Sequence, residues 1–212
     1  ALRRDLDRAI RQRNVLLKQS GGRLDEAASV TLDVWDGRMA ELGERLGRER
    51  EALVSRLEPL VVDAYARLAG ESAELGLAYC PPWREQGLAE ALAESRANDL
   101  RRGVSTVGPH RDDLEVSLNS MPSRTHASQG EQRTLALALR LAAHRLIADR
   151  VDSTPILVLD DVLSELDEGR ATALLEDLPA GQIVITSASA LPSAARPDRI
   201  IRIASGAVES DE

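Results

Sequence analysis

Asp160 and Asp161 follow Ile156-Leu157-Val158-Leu159, a run that reads as a strand apolar on both faces, as a central parallel strand requires. Acids at the C-terminal end of such a strand point into the crevice where open α/β sheets bind ligands. The first could hold a divalent cation, and the second could orient or deprotonate an attacking water. Taken alone, the pattern also reads as an ordinary strand end. Ser128-Gln129-Gly130-Glu131-Gln132 opens a helix. A hydroxyl, a glycine that admits close backbone approach and free N–H groups at a helix start make an anion site. The same residues also fit a plain capping box, with Ser128 three positions before Glu131. Ser164-Glu165-Leu166-Asp167 comes just after the paired acids and by itself is another helix start.

These residues need elements to hold them. A helix from about 131 to 148, rich in Leu and Ala, follows the Ser128 segment, and Pro155 opens the acid-tipped strand. A helix over about 167–178, a strand at 182–186 and a strand at 200–203 come next. Strand–helix–strand at these lengths predicts an α/β layer with right-handed crossovers. Upstream, Leu2, Leu6, Ile10, Asn14 and Leu17 mark one side of a helix that Gly21-Gly22 ends. Leu32, Trp35, Met39, Leu42 and Leu46 begin a second helix at coiled-coil spacing, interrupted where Glu49 and Arg56 fall on the seam. The pattern predicts a helical hairpin, with Pro59 kinking or breaking the second helix before a last turn through Val61, Tyr65 and Leu68. A weak strand at 74–80, a helix over 87–101 and an alternating strand at Leu114, Val116 and Leu118 complete the reading. The chain is expected to divide near residue 103, into a mostly helical part (1–103) and an α/β part (104–212).

Composition narrows the chemistry. Hydrophobic residues make up 43% of the 212-residue chain and charged residues 29%, as in a globular protein with a real core. No run approaches the roughly 18 apolar residues of a membrane span, and no apolar signal core follows the N-terminus. Cys80, the single cysteine, excludes an internal disulfide framework and a Cys-based zinc site, and it suits a reducing cytoplasm. Two Trp, two Tyr and no Phe weaken any scheme in which bases stack on an aromatic platform. Net charge is −8, yet residues 1–23 carry +5. Arg3, Arg4, Arg8, Arg11, Arg13 and Lys18 are thus candidates for a polyanion surface, and a solvated helix face would carry the same charge. Lys18 is the only lysine and Gln19 follows it, so the chain cannot contain the phosphate-binding loop G-x-x-x-x-G-K-[ST]. A start at Ala1 in place of Met fits an expectation of truncation.

Order and spacing join the motifs. An S-x-G-x-Q signature, a helix of about 20 residues, an apolar strand ending in two acids and S-x-L-D resemble the ABC-type ATPases of the SMC-like superfamily. Gly108-Pro109-His110-Arg111-Asp112-Asp113-Leu114, Ser128 to Thr134 and Leu159 to Asp167 resemble the bacterial RecF family. Arg11-Gln12-Arg13-Asn14 with Leu16-Leu17-Lys18 extends that resemblance over nearly the whole chain.

The resemblance implies the C-terminal part of an ABC-type head, a mostly parallel sheet with flanking helices, interrupted by a helical lobe. In that family the phosphate-binding loop lies further toward the N-terminus, and ATP with Mg2+ is sandwiched between two heads of a homodimer. Carried over by position, Asp160 is the Mg2+-coordinating acid and Asp161 the residue that polarises water. Ser128, Gly130 and Gln132 belong to the signature that meets the nucleotide across the dimer, and Asp167 is the acid at that interface. Thr186-Ser187 stand where many transporters have a switch histidine. The family acts as ATP-dependent clamps on single-stranded or gapped DNA in repair, replication-fork maintenance and the SOS response, with mediator partners and no membrane. The whole protein is expected to be a weak DNA-stimulated ATPase, and this chain alone inactive.

Two rival readings stand beside this one. A nucleotide-independent DNA- or partner-binding module is supported by the missing lysine. A head fragment of another SMC-like protein or of a transporter is disfavoured by the short hairpin, the inserted lobe and the absent histidine.

Overall fold

The computed structural model describes residues 2–151 and 153–211. Helix α1 runs Leu2–Gln19 and α2 runs Glu26–Ala69. Strand β1 (Leu75–Cys80), α3 (Leu88–Arg102), β2 (Asp113–Leu118), β3 (Met121–Pro122) and the short α4 (Ser123–His126) follow. Then come α5 (Gln129–Ala148), β4 (Leu157–Asp160), α6 (Glu168–Glu176), β5 (Ile183–Thr186), β6 (Ile201–Ala204) and β7 (Ala207–Asp211).

Two compact units form, and their boundary differs from a single break near residue 103. The first comprises 1–58 and 75–122, the second 59–74 and 123–212. Strand pairing explains the difference. β1 and β2 lie antiparallel over six residue pairs, from Leu75 opposite Leu118 to Cys80 opposite Asp113. That ladder draws the segment after residue 103 back to the helical part.

In the first unit, Leu6, Ala9, Met39, Leu42, Trp83, Leu88 and Leu92 build the core. Gly43 lets α3 approach α2 closely, because a Cβ there would stand 2.2 Å from the Leu88 side chain. The polar centre is Arg13, wholly buried. Its Nε donates to Asp36 at 2.6 Å, and its Nη1 donates to Asp99 at 2.6 Å and to Ser105 Oγ at 2.9 Å. Asp99, also fully buried, further accepts from the Thr106 backbone N–H at 2.9 Å. A buried charge pair of this kind is costly to break, because a lone partner is left in low dielectric.

Asp112 is a second polar anchor. Its carboxylate accepts from the Tyr79 hydroxyl and, at 2.8 Å, from Trp83 Nε1. Arg50 Nη1 donates to Pro109 O at 2.6 Å and stands 3.5 Å from the same carboxylate. His110 Nε2 lies 3.1 Å from Ser105 O. The Gly108-Pro109-His110-Arg111-Asp112-Asp113 stretch is therefore tied to α2 through Arg50 and to β1 and the segment after it through Asp112.

α2 continues through Pro59 as one helix, where a kink or break was expected. Proline removes one N–H, and its ring crowds the carbonyl four residues earlier, so a helix tolerates it only when neighbouring turns are held. Here Val61, Ala64, Tyr65 and Leu68 on the next turns are all buried. Glu49 and Arg56 lie exposed on the stretch just before, as the interrupted seam predicts.

In the second unit β4 and β5 pair in parallel, with Asp160 opposite Thr186. β6 and β7 form an antiparallel hairpin that the sequence reading did not foresee. Leu157 and Leu159 are buried, whereas Val158 is 61% exposed and Ile156 58%. This corrects the expectation of a strand covered on both faces: among the described residues only one face of β4 is covered.

Candidate functional site

The start of α5 is fixed by its own residues. Ser128 caps the helix, accepting the Glu131 N–H on Oγ at 3.3 Å while the Glu131 carboxylate accepts the Ser128 N–H at 2.7 Å. Such reciprocal caps are worth about 1 kcal/mol. The Ser128 contacts, first that of its side chain and then that of its N–H, hold the Glu131 carboxyl below the usual range. Gln132 donates its amide to the carbonyls of Ala127, Ser123 and Arg124 at 3.0, 3.3 and 3.5 Å. That amide nitrogen fastens α4 to α5, so Gln132 shapes the helix start. Thr134, buried one turn on, bonds back to Gly130 O at 2.9 Å.

The paired acids sit where the sequence puts them, exposed at the end of β4. Asp161 takes a left-handed backbone (φ 51°, ψ 23°), a region that Asp tolerates better than most residues. Two bonds hold it there: its N–H donates to Thr186 O at 3.2 Å and to Thr186 Oγ1 at 3.0 Å. The Thr186 hydroxyl in turn donates to Asp160 Oδ1. Ser164 closes the following turn by donating to Asp161 O at 2.8 Å. Asp167 caps α6, accepting the Arg170 N–H at 2.9 Å.

Two contacts join the signature helix to this turn. Arg133 Nη1 donates to Glu165 O at 3.3 Å. Arg170 lies against Gly130, where an added Cβ would stand 2.7 Å from Nη1. Neither arginine, nor Thr186 as a partner of Asp160, was singled out from the sequence. Arg133 and Arg170 had a weak signal, being cations inside or next to the two motifs. Among the described residues no group of three or more His, Cys, Asp or Glu could hold a metal ion by itself.

The basic segment of α1 does not survive whole as a surface. Arg3, Arg4, Arg8, Arg11 and Lys18 are exposed, but Arg13 is fully enclosed by its ion pairs. Position 13 falls on the stripe of Leu6, Ala9 and Leu17, the buried side of α1.

A signature helix start, an acid-tipped parallel strand and an Asp-capped turn, in this order on one α/β unit, define part of an ABC-type ATPase head. No family model matches the chain. Relatives do. A DNA replication and repair protein RecF of Frankia alni is 42% identical over 204 residues, spanning 87% of this chain and 53% of the relative. One of Kineococcus radiotolerans is 38% identical, spanning 95% of this chain and 59% of the relative. A solved structure of the recombination mediator protein RecF with ATPrS in the RecFOR pathway is similar at 27% identity with a TM-score of 0.80. It matches over 96% of this chain and 56% of that one. Over the portion it shares with these proteins, the chain is similar to RecF. It spans a little over half the length of the curated relatives it matches.

Proposed function

We propose that this chain is the part of an ATP-dependent DNA clamp that carries its signature and paired acids, acting as a recombination mediator in DNA repair and at replication forks. One observation carries the reading. The Ser128–Gly130 helix start and the turn ending at Asp167 are braced together within one unit, beside strands that present Asp160 and Asp161. Solved RecF proteins bound to ATP and ATPrS support a nucleotide as the ligand. The uncovered face of β4 suits a protein whose relatives are nearly twice as long, the remaining length supplying further sheet and the phosphate-binding loop.

Each residue then has a role. Asp160 and the Thr186 hydroxyl offer hard oxygens, and Mg2+ is typically held by one or two carboxylates together with substrate phosphates, so the donors fit that ion. Asp160 would hold it, and the ion would offset charge developing on the phosphate. Asp161 orients the attacking water. Ser128 and the Gly130 backbone face the partner protomer's nucleotide in an ATP-dependent homodimer, and Asp167 lines the same interface. Arg3, Arg4, Arg8, Arg11 and Lys18 contribute phosphate contacts to DNA. Mediator proteins that load recombinase are the partners, and the cytoplasm is the compartment.

Two substitutions in the whole protein test this. Asp161→Asn is expected to trap an ATP-bound dimer on DNA, and unchanged turnover would remove Asp161 from the chemistry. Ser128→Arg is expected to block ATP-dependent dimerisation while leaving nucleotide binding by each monomer. Dimerisation that persists makes Ser128 a helix cap only.

A further inference from the structure

Gly130 is not among the glycines with positive φ, so backbone conformation does not demand glycine there. A Cβ on Gly130 would stand 2.7 Å from Arg170 Nη1, 3.8 Å from Cζ and 3.9 Å from Nη2, so it would have to push the tip of that side chain aside. The same Nη1 lies 3.4 Å from Asp167 Oδ2, and the Arg170 side chain is only 28% exposed. Its charge also acts on Glu131, the partner of Ser128 in the capping box. One planar cation thus touches the signature helix on one side and the Asp167 turn on the other. A surface ion pair between residues three apart on a helix would need no glycine opposite it, and would be worth little. Arg133, running the other way from α5 to Glu165 O at 3.3 Å, closes the brace.

We propose that Arg170 is a positioning residue, a guanidinium wedge that locks Ser128–Gly130 and Asp167 into one surface for the partner's nucleotide. This rests on the clamp reading given above. A guanidinium suits the role better than an ammonium, since it presents several donors in a rigid fork and loses less freedom for each bond it forms. The wedge also accounts for the glycine of the signature as a seat for Arg170, beyond any contact Gly130 makes with phosphate.

The test is ATP-dependent dimerisation of the whole protein, followed by sedimentation over a range of protein concentrations with ATP and Mg2+. Arg170→Ala is expected to weaken the dimer at least tenfold while nucleotide binding by the monomer stays within twofold. Arg170→Lys is expected to recover only part of the loss. Gly130→Ala displaces the flexible tip of Arg170, so in that background Arg170→Ala should add nothing further. Full dimerisation of Arg170→Ala overturns the proposal. So do losses that multiply in the double variant, or a fall in monomer nucleotide binding that marks the side chain as a fold element. Ser128→Arg in the same assay separates the two levels. If it dimerises normally, the interface role given to Ser128 fails and the wedge with it; if it is blocked while Arg170→Ala is not, only the wedge fails.

Discussion

Thr186 binds both halves of the acid pair: its hydroxyl donates to the Asp160 carboxylate, and its oxygens accept the Asp161 N–H at 3.2 and 3.0 Å. The last residue of β5 therefore sets the direction of the carboxylate at the end of β4.

Thr186→Val keeps the shape and the carbonyl but loses both hydroxyl contacts. For exposed groups the expected cost is about 0.5–1 kcal/mol, read from urea denaturation. The sharper readout is the Mg2+ dependence of ATP turnover in the whole protein. Partners that orient a ligand carboxylate govern metal affinity, so half-saturation should move to severalfold higher Mg2+. Thr186→Ser should restore both values. Identical Mg2+ curves for Val and Thr would mean that the hydroxyl does not orient Asp160.

Arg13 and Asp99 are both fully buried and joined at 2.6 Å. Removing one partner leaves the other charged and enclosed, which costs about 3–5 kcal/mol. Arg13→Ala should lower the denaturation midpoint strongly, whereas Arg3→Ala and Arg8→Ala should stay within about 0.5 kcal/mol of the wild type. Any loss of DNA binding in Arg13→Ala should then track unfolding. A stable Arg13→Ala protein with impaired DNA binding would put Arg13 back on the surface.

Arg3, Arg8 and Arg11 remain exposed on α1 and offer a salt-dependent contact to nucleic acid. Each duplex phosphate contact contributes about 0.9 to the slope of log affinity against log salt. A triple Ala variant in the whole protein should reduce that slope by up to about 3, with its melting temperature unchanged. An unaltered slope would leave α1 as a solvated helix face.

The site was legible because its motifs are local. A cap, an acid-tipped strand and an Asp before a helix each follow from neighbours within a few residues, and Ser128, Asp160, Asp161 and Asp167 stand as the spacing implies. What the sequence hid is long-range. Arg13 reads as a surface cation until Asp36 and Asp99, 23 and 86 positions away, are seen to enclose it. Arg170 carries no motif, and its contact with Gly130 depends on how two helices pack. The alternation Leu114-Glu115-Val116 predicts β2, but nothing in it names β1 as its partner across the intervening α3. Local apolarity likewise made β4 a strand without deciding which of its faces this chain would cover.

The two tyrosines give a pH test of the buried contacts. Burial first, then the hydrogen bond to the Asp112 carboxylate, pushes Tyr79 up from 10.0 to about 12. Burial and the Glu131 charge push Tyr65 up from the same value. A raised folded value means that the unfolded chain releases its proton first. The stabilisation is therefore fully present below about pH 10 and is lost as pH rises through the folded values, for Tyr79 near 12. Absorbance at about 295 nm should show less tyrosinate in the folded protein at pH 10 than the about half ionisation expected in urea. Tyr79→Phe should flatten the fall in stability between pH 10 and 12, because Asp112 keeps Trp83 and Arg50 as partners. Half-ionisation near pH 10 in a native Tyr65→Phe variant, where Tyr79 is the one tyrosine left, would show that the Tyr79–Asp112 bond does not persist in solution.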